Sequence, residues 1–494
     1  MFHPGFFYLK GNPLRHSYAI TFLIILFLIT RVFLFTGFPF SMNFLDIGMQ
    51  MMDPDVLQGD LLNGLFYNHT QPPLFNAFVG MVLKTTPDRV SAHMVFSFIY
   101  GTIGIFLVLG IYMLALNIGA SRFWSLSAAA LFTFWPPCIY EQIYHHPPPE
   151  KWLSYDYPVM LFLLAMTLCM AMFRNNGKPQ WLGGFLLLAA TVVWTRPFFH
   201  SVWWFVPTMF LVILAMRSCQ KKERLVLMAV AALALVLSLA PAVKNRVLYG
   251  WFTDSSFRGM NIASRTLFLS PDIIRVEVDK GTVTPLALIP RFSEPDVYLD
   301  YYEKDGLTGN GLLDRVDKST GYPNWNHIIM IRASREYGDN TRALLKAHPM
   351  ELVKTTVNGI YIFFGLESHQ FLWSLGSRPW GFWNVDFVPV RVRSFGSFLL
   401  LAGVPILFAI VFFTVMYQMF RRREDPLFLF ILFLLAYIFI VANLAELGHN
   451  NLFRKQVDPM LFAGLALWLT RLFQGRGSLA PTPGSGKQDR PSKG

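Results

Sequence analysis

"SFGSFLLLAGVPILFAIVFFTVMYQMF" (394–420) runs without one charged side chain, and "LFLFILFLLAYIFIVANLA" (427–445) repeats the pattern after only "RRREDP". A helix of about 20 apolar residues crosses a hydrocarbon core of roughly 30 Å. Lipid leaves no partner for an unpaired backbone group, so spanning segments are helices or closed barrels. Both stretches therefore read as membrane-spanning helices. Working outward, further apolar segments fall at 17–38, 90–116, 121–139, 153–173, 180–199, 201–216, 225–243 and 453–473. The fold class expected is an all-α polytopic membrane protein of about 10–12 transmembrane helices. Composition agrees: 54% hydrophobic and only 15% charged residues, with 48 Phe and a mean hydropathy of +0.41, lie far from soluble averages.

The net charge is +12, yet nucleic acid is not the partner it implies. Basic residues gather in short loops beside apolar runs, at "RNNGK" (174–178), "RSCQKKER" (217–224) and "RRRE" (421–424). That is the positive-inside pattern, with no basic face interleaved with aromatics. A cytoplasmic N-terminus puts all three loops inside. It puts 39–88, 140–152, 244–394 and 446–452 outside. Lys10 and Arg15 precede the first apolar run without a small-residue cleavage site, so that run is expected to be retained. The segment 74–86 reads either as a short crossing or as a surface helix. The organisation expected is an N-terminal transmembrane module (1–243) with a first outer loop at 39–88. A small mixed α/β extracytoplasmic domain (244–394), C-terminal transmembrane helices (395–473) and a disordered tail (474–494) follow. "GSGKQ" in that tail lacks the spacing of a phosphate-binding loop. Cys138, Cys169 and Cys219 show neither metal nor disulfide spacing, and no internal repeat is visible.

The first outer loop is unbalanced. Asp46, Asp53, Asp55 and Asp60 lie in a stretch from Val32 to Leu83 that holds no Lys or Arg, and the loop closes with "YNHTQPPLFN" (67–76). Such carboxylates can act as a general base on a hydroxyl or amine, hold a divalent cation, or simply be solvated. His69 and Gln71 can hydrogen-bond sugar or phosphate oxygens, while Pro72–Pro73 stop a helix and set the re-entry angle. "YHHPPPEKW" (144–152) lacks metal-ligand spacing. "NHT" (68–70) fits a glycosylation sequon.

"NFLDIGMQMMDPDVLQGDLLNGLFYNHTQPPLFNAFVG" (43–80) resembles the first extracytoplasmic loop of the GT-C glycosyltransferases, which include protein O-mannosyltransferases and bacterial aminoarabinose transferases. "TRPFF" (195–199), "PAVKNRVLYGWFTDSSFRGMN" (241–261) and "AELGHNNLFRKQVDP" (445–459) resemble later segments of the same plan. The resemblance spans roughly 20–470 in short motifs. It implies a sugar donor linked to a polyprenyl phosphate, transfer on the outer face and an aspartate base in the first loop. By position that base is Asp46, with Asp53 or Asp55 as fallback. The Asp-Ile pair at 46–47 departs from the family's usual Asp-Glu. A departing phosphate needs fixed cations, and basic residues at helix ends are the candidates: Arg454 with Lys455, then Arg196, then Lys244 and Arg246. Glu446 would orient Arg454 or recognise the sugar. No cofactor is required, with Mg²⁺ or Mn²⁺ as an option. Membrane lipids and an acceptor glycan, lipid or protein complete the partners, in a bacterial inner membrane. The alternatives are a transporter or flippase of lipid-linked sugars, which needs no base, and a non-catalytic scaffold.

Overall fold

The computed structural model describes residues 13–34, 40–134, 153–303, 306–364, 395–421, 425–445, 447 and 450–474. Helix α1 (Pro13–Leu34) leads into three short helices of the acidic loop, α2 (Asn43–Ile47), α3 (Pro54–Gly59) and α4 (Leu61–Tyr67). Then come α5 (Leu74–Thr85), α6 (Arg89–Ile118), α7 (Arg122–Thr133), α8 (Asp156–Asn176) and α9 (Gln180–Thr195). A π turn at Ser201–Phe205 opens α10 (Val206–Ala215), and α11 (Lys221–Tyr249) follows. The polar region carries α12 (Arg258–Ala263), α13 (Pro271–Asp279), α14 (Pro295–Tyr301), α15 (Gly311–Asp314), α16 (Ile329–Ala347) and α17 (Met350–Phe364). Helices α18 (Phe395–Arg421), α19 (Pro426–Ala445), α20 (Asn450–Lys455) and α21 (Asp458–Gln474) return to the bundle.

Among the described residues, six helices are long and apolar enough to cross a membrane: Arg89–Ile118, Asp156–Asn176, Ser201–Ser218, Lys221–Tyr249, Gly403–Arg421 and Pro426–Ala445. The chain is a helical, multi-pass membrane protein. Fewer helices meet that criterion than the apolar segments suggested: 180–199 and 453–473 give the shorter helices Gln180–Thr195 and Asp458–Gln474, and parts of 17–38 and 121–139 lie outside the described residues. The last segment starts with short α20, turns, and continues as α21. The segment 74–86 forms a short apolar helix with one face buried. With 12 residues, α5 is about 18 Å long, and it buries Phe75, Val79 and Leu83 where it packs on α3 and α6. The expected mixed α/β character of 244–394 finds no support in its described part. Among the described residues no strand occurs, and β pairing is limited to isolated bridges such as Asp317 with Pro323. Its Gly- and Pro-rich stretches form turns and short helices instead.

Local chemistry explains the breaks. Pro197 disfavours helical backbone at the residue before it, so Arg196 is extended at φ −144°, ψ 124° and α9 stops there. Pro241 lies inside α11, and a proline cannot donate to the carbonyl four residues earlier. That carbonyl, on Leu237, accepts the Trp194 indole N–H instead. Polar contacts then sort the bundle into two ends. At one, Arg174 pairs with Asp425 at 3.1 Å, Asn175 donates to Asn117 Oδ1 at 2.7 Å, and the Ser121 N–H donates to Thr470 Oγ1 at 2.8 Å. At the other, Arg196 pairs with Asp156 and Arg89 with Asp46 at 2.5 Å. Loop 174–178 lies at the first end and the acidic loop at the second, the alternation that the basic loops require.

In the polar region α12 lies directly on α16, and Phe257, Met260, Tyr298, Trp325, Met330 and Tyr337 form a core of their own. The approach leaves no room at Gly259, whose added Cβ would sit 1.6 Å from the Ser334 carbonyl oxygen. Its N–H and that of Met260 both donate to Ser334 Oγ, at 3.0 and 3.2 Å. Gly259→Ala must separate two backbones, and overpacking of this kind costs about 1–3 kcal/mol. We expect a lower Tm for that variant in thermal unfolding, with Gly281→Ala, which meets no atom within 4 Å but has a left-handed backbone at φ 73°, costing less.

Candidate functional site

In "YNHT" Tyr67 is half-buried and the other three residues are buried, and buried carbonyls need donors. Four in succession find them in distant sequence. Tyr67 C=O accepts from Tyr249 Oη at 2.6 Å, and Asn68 C=O from Lys244 Nζ. His69 C=O accepts from the Ser256 N–H at 2.8 Å, and Thr70 C=O from Ser255 Oγ at 2.5 Å. His69 closes the joint. Its Nε2–H donates to Asn326 C=O at 3.0 Å and its Nδ1 lies 2.8 Å from Ser256 Oγ; in the neutral ring that burial favours, Nδ1 accepts from that hydroxyl. Burial holds its pKa down to about 3. Both ring nitrogens are occupied, which corrects the ligand-binding role for His69: it is a strut. Gln71 lies beside it, buried, with Oε1 unpaired among the described residues. Lys244 likewise holds the joint, not an open site. Asn68 is fully buried, so the sequon is closed in the folded chain.

The His69 environment has a pH consequence. A His that titrates near 6.5 when unfolded and near 3 when folded binds a proton only in the unfolded chain between those values. Stability is therefore full above about pH 6.5 and falls by about 1.4 kcal/mol per pH unit below it. Chemical unfolding of wild type and His69→Gln from pH 7 to 4 should show the variant with a slope shallower by one proton.

The four loop aspartates have different fates. Asp53 is buried as the N-cap of α3. It accepts from the Ser319 N–H at 2.8 Å, Ser319 Oγ at 2.5 Å, Arg315 at 3.2 Å and the Asp55 N–H at 3.1 Å. With both oxygens occupied it clamps the loop to the polar region and is no fallback base. Asp60 accepts from Asn63 Nδ2 at 2.9 Å. Asp46 is half-buried, with Oδ1 on Arg89 and Oδ2 without a hydrogen bond among the described residues. Asp46, Asp55, Gln58, Arg89, Ser319 and Thr320 line a cavity of about 420 Å³. Lys318 ties down the neighbouring backbone by donating to the carbonyls of Asp46 at 3.1 Å and Gly48 at 2.9 Å. Burial holds that amine down to about 8.

Arg246 excepted, the expected phosphate-binding cations are spoken for. Arg196 is buried against Asp156, which also accepts from Gln456 Nε2 at 2.9 Å. Its guanidinium lies 4.3 Å from the Phe453 ring and 5.1 Å from that of Tyr155. Arg454 is fully buried, donating to Phe363 C=O at 3.0 Å and lying 3.6 Å from Asp458. Lys455 is buried too. Arg246 donates to Gly250 C=O at 2.6 Å, at the end of α11. Neither Arg454 nor Lys455 lines the Asp46 cavity. Glu446, His145, His146 and the tail lie outside the described residues. Yet the basic helix ends and the acidic loop are neighbours. Phe44 of α2 meets Tyr155 edge-on at 6.1 Å, Tyr155 lies beside Arg196, and Phe198 stacks on Phe453 at 4.1 Å.

Sequence reasoning missed Arg89, Lys318, Asp156 and the Asp254–His200 pair. Asp254 accepts from the Ser201 N–H at 3.1 Å and lies 3.8 Å from His200 Nε2; burial raises its pKa. A charged residue opening an apolar helix was the available signal for Asp156. Lys318 gave none.

No protein-family model matches the chain. No curated protein is significantly similar to it either. The GT-C likeness therefore rests on the motifs alone.

Proposed function

We propose that the protein is an integral membrane glycosyltransferase that moves a sugar from a polyprenyl-phosphate carrier to an acceptor. The observation that carries this reading is the Asp46 cavity. One carboxylate oxygen is fixed by Arg89 and the other is open, in a space within the roughly 300–1,000 Å³ of small-molecule sites and clamped by Lys318 and Asp53. Such fixed groups lower a barrier because they need no reorganisation as charge develops.

In the proposed step, the acceptor hydroxyl gives its proton to Asp46 Oδ2 as its oxygen bonds the anomeric carbon. The bond from that carbon to phosphate oxygen breaks, and polyprenyl phosphate leaves with the electron pair. Arg89, whose side chain is 57% exposed, takes over the role first given to Arg454 and faces the leaving phosphate. Mg²⁺ binds through one or two carboxylates plus substrate phosphate, and Asp55, on the same cavity, would supply one. The protein in lipid nanodiscs, given a panel of polyprenyl-phosphate sugars, should release polyprenyl phosphate detectable by mass spectrometry. A donor bound but left whole would sink this reading in favour of a transporter of lipid-linked sugars.

A further inference from the structure

The Tyr249 end of α11 carries a positive cluster that the proposed chemistry does not use. Arg246 donates to Gly250 C=O and Arg335 of α16 to Tyr249 C=O, each at 2.6 Å. Two guanidiniums are thus held on neighbouring carbonyls. Each has five N–H donors, and one apiece is used there. Among the described residues neither has an ion-paired carboxylate. The nearby acids are committed elsewhere. Glu336 accepts from Tyr301 Oη at 3.1 Å and Tyr302 Oη at 2.7 Å, and Asp339 pairs with Arg342 at 3.2 Å. The charge of Arg246, after burial, pulls the Arg335 pKa down, as an unneutralised pair requires.

The surroundings are amphipathic. Beside the two arginines lies a cleft of about 650 Å³, lined by Leu248, Tyr249, Arg332, Arg335, Glu336 and Asn340. Trp251 lies 5.2 Å from the Arg335 guanidinium. Down the membrane helix from this point, Leu233, Val236, Val243 and Val247 form one exposed stripe, with Val247 77% exposed. Their spacing places them on one face of α11. Aromatic side chains at the end of a lipid-facing stripe mark the membrane–water boundary, and basic pockets there bind anionic head groups.

We propose that this end of α11 is a binding site for the phosphate of a membrane lipid, held by Arg246 and Arg335, with its chains along the valine stripe. Planar guanidiniums suit phosphate oxygens in a way a single ammonium does not. The carbonyls they cap keep them pre-positioned. The site stands apart from the Asp46 cavity, and its test needs no activity.

The test is native mass spectrometry of the full-length protein with phosphatidylglycerol, chain-matched phosphatidylcholine and a long-chain polyprenyl monophosphate. Wild type should retain the anionic lipids over phosphatidylcholine by about tenfold or more. Arg246→Gln/Arg335→Gln should lose that preference, Arg246→Lys/Arg335→Lys should keep most of it, and exposed Arg275→Gln should change nothing. If the double Gln variant melts early, the double Lys variant and the wild-type preference decide. Polyprenyl monophosphate retained above phosphatidylglycerol would name the carrier as occupant, and equal retention would name anionic lipid in general. Equal retention of phosphatidylglycerol and phosphatidylcholine by wild type, or an unchanged double Gln variant that stays folded, overturns the proposal.

Discussion

Asp46→Asn should abolish release of polyprenyl phosphate, by about 10²–10⁴-fold if general-base catalysis is the whole of its role, while leaving the folded yield intact. The second half of that expectation follows from the geometry. Asn keeps the shape and can still offer an amide oxygen to Arg89, which is mostly solvated and so loses little. The carbonyls of Asp46 and Gly48 that hold Lys318 belong to the backbone, so the clamp survives. Asp53→Asn gives the contrasting result. It weakens a buried carboxylate with four donors, so loss of activity there should come with loss of stability. Full donor turnover by Asp46→Asn would remove the base assignment and leave the cavity without a chemical role.

The parts of this fold that were legible in the sequence are those governed by local composition. Long uncharged runs became α18 and α19, and the helix stop at Arg196–Pro197 follows from one steric rule. The acidic loop was visible because four carboxylates without a cation are rare in so apolar a chain. The contacts that shape the site were not legible. Ser319 and Lys318 reach back 266 to 272 positions to the acidic loop, and Asn326 reaches back 257 to His69. No periodicity links them. The motif "YNHTQPPL" therefore invited a ligand role, because His and Gln in an apolar chain look functional. Its physical demand is backbone satisfaction in a buried turn, and that demand is met by side chains on α11 and in the 253–256 and 324–327 segments together with the Ser256 N–H. Arg454 misled for a related reason. A basic residue near a membrane helix reads as a phosphate site, but complete burial against Phe363 and Asp458 leaves it no approach.

The largest effect on stability should come from Asp156→Ala, and the reason is an asymmetry in burial. The Arg196 side chain is 6% exposed and that of Asp156 27%. Removing the carboxylate strands a guanidinium in an apolar layer, and losing one partner of a buried pair costs about 3–5 kcal/mol. It also frees Gln456, whose Nε2 donates to the same oxygen. Arg196→Ala removes the more deeply buried charge and leaves a carboxylate that water and Gln456 still reach, so it should cost less. Part of its cost is the lost packing of the guanidinium between Phe453 and Tyr155, since cation–π contacts contribute about 0.5–2 kcal/mol each. The double variant should be more stable than Asp156→Ala alone, because no charge is then left unpaired. Chemical unfolding in detergent, run as a double-mutant cycle, reads all three differences. Equal losses from the two single changes would mean that solvent reaches both groups alike. Arg196 would then be open to substrate phosphate, as the sequence suggested.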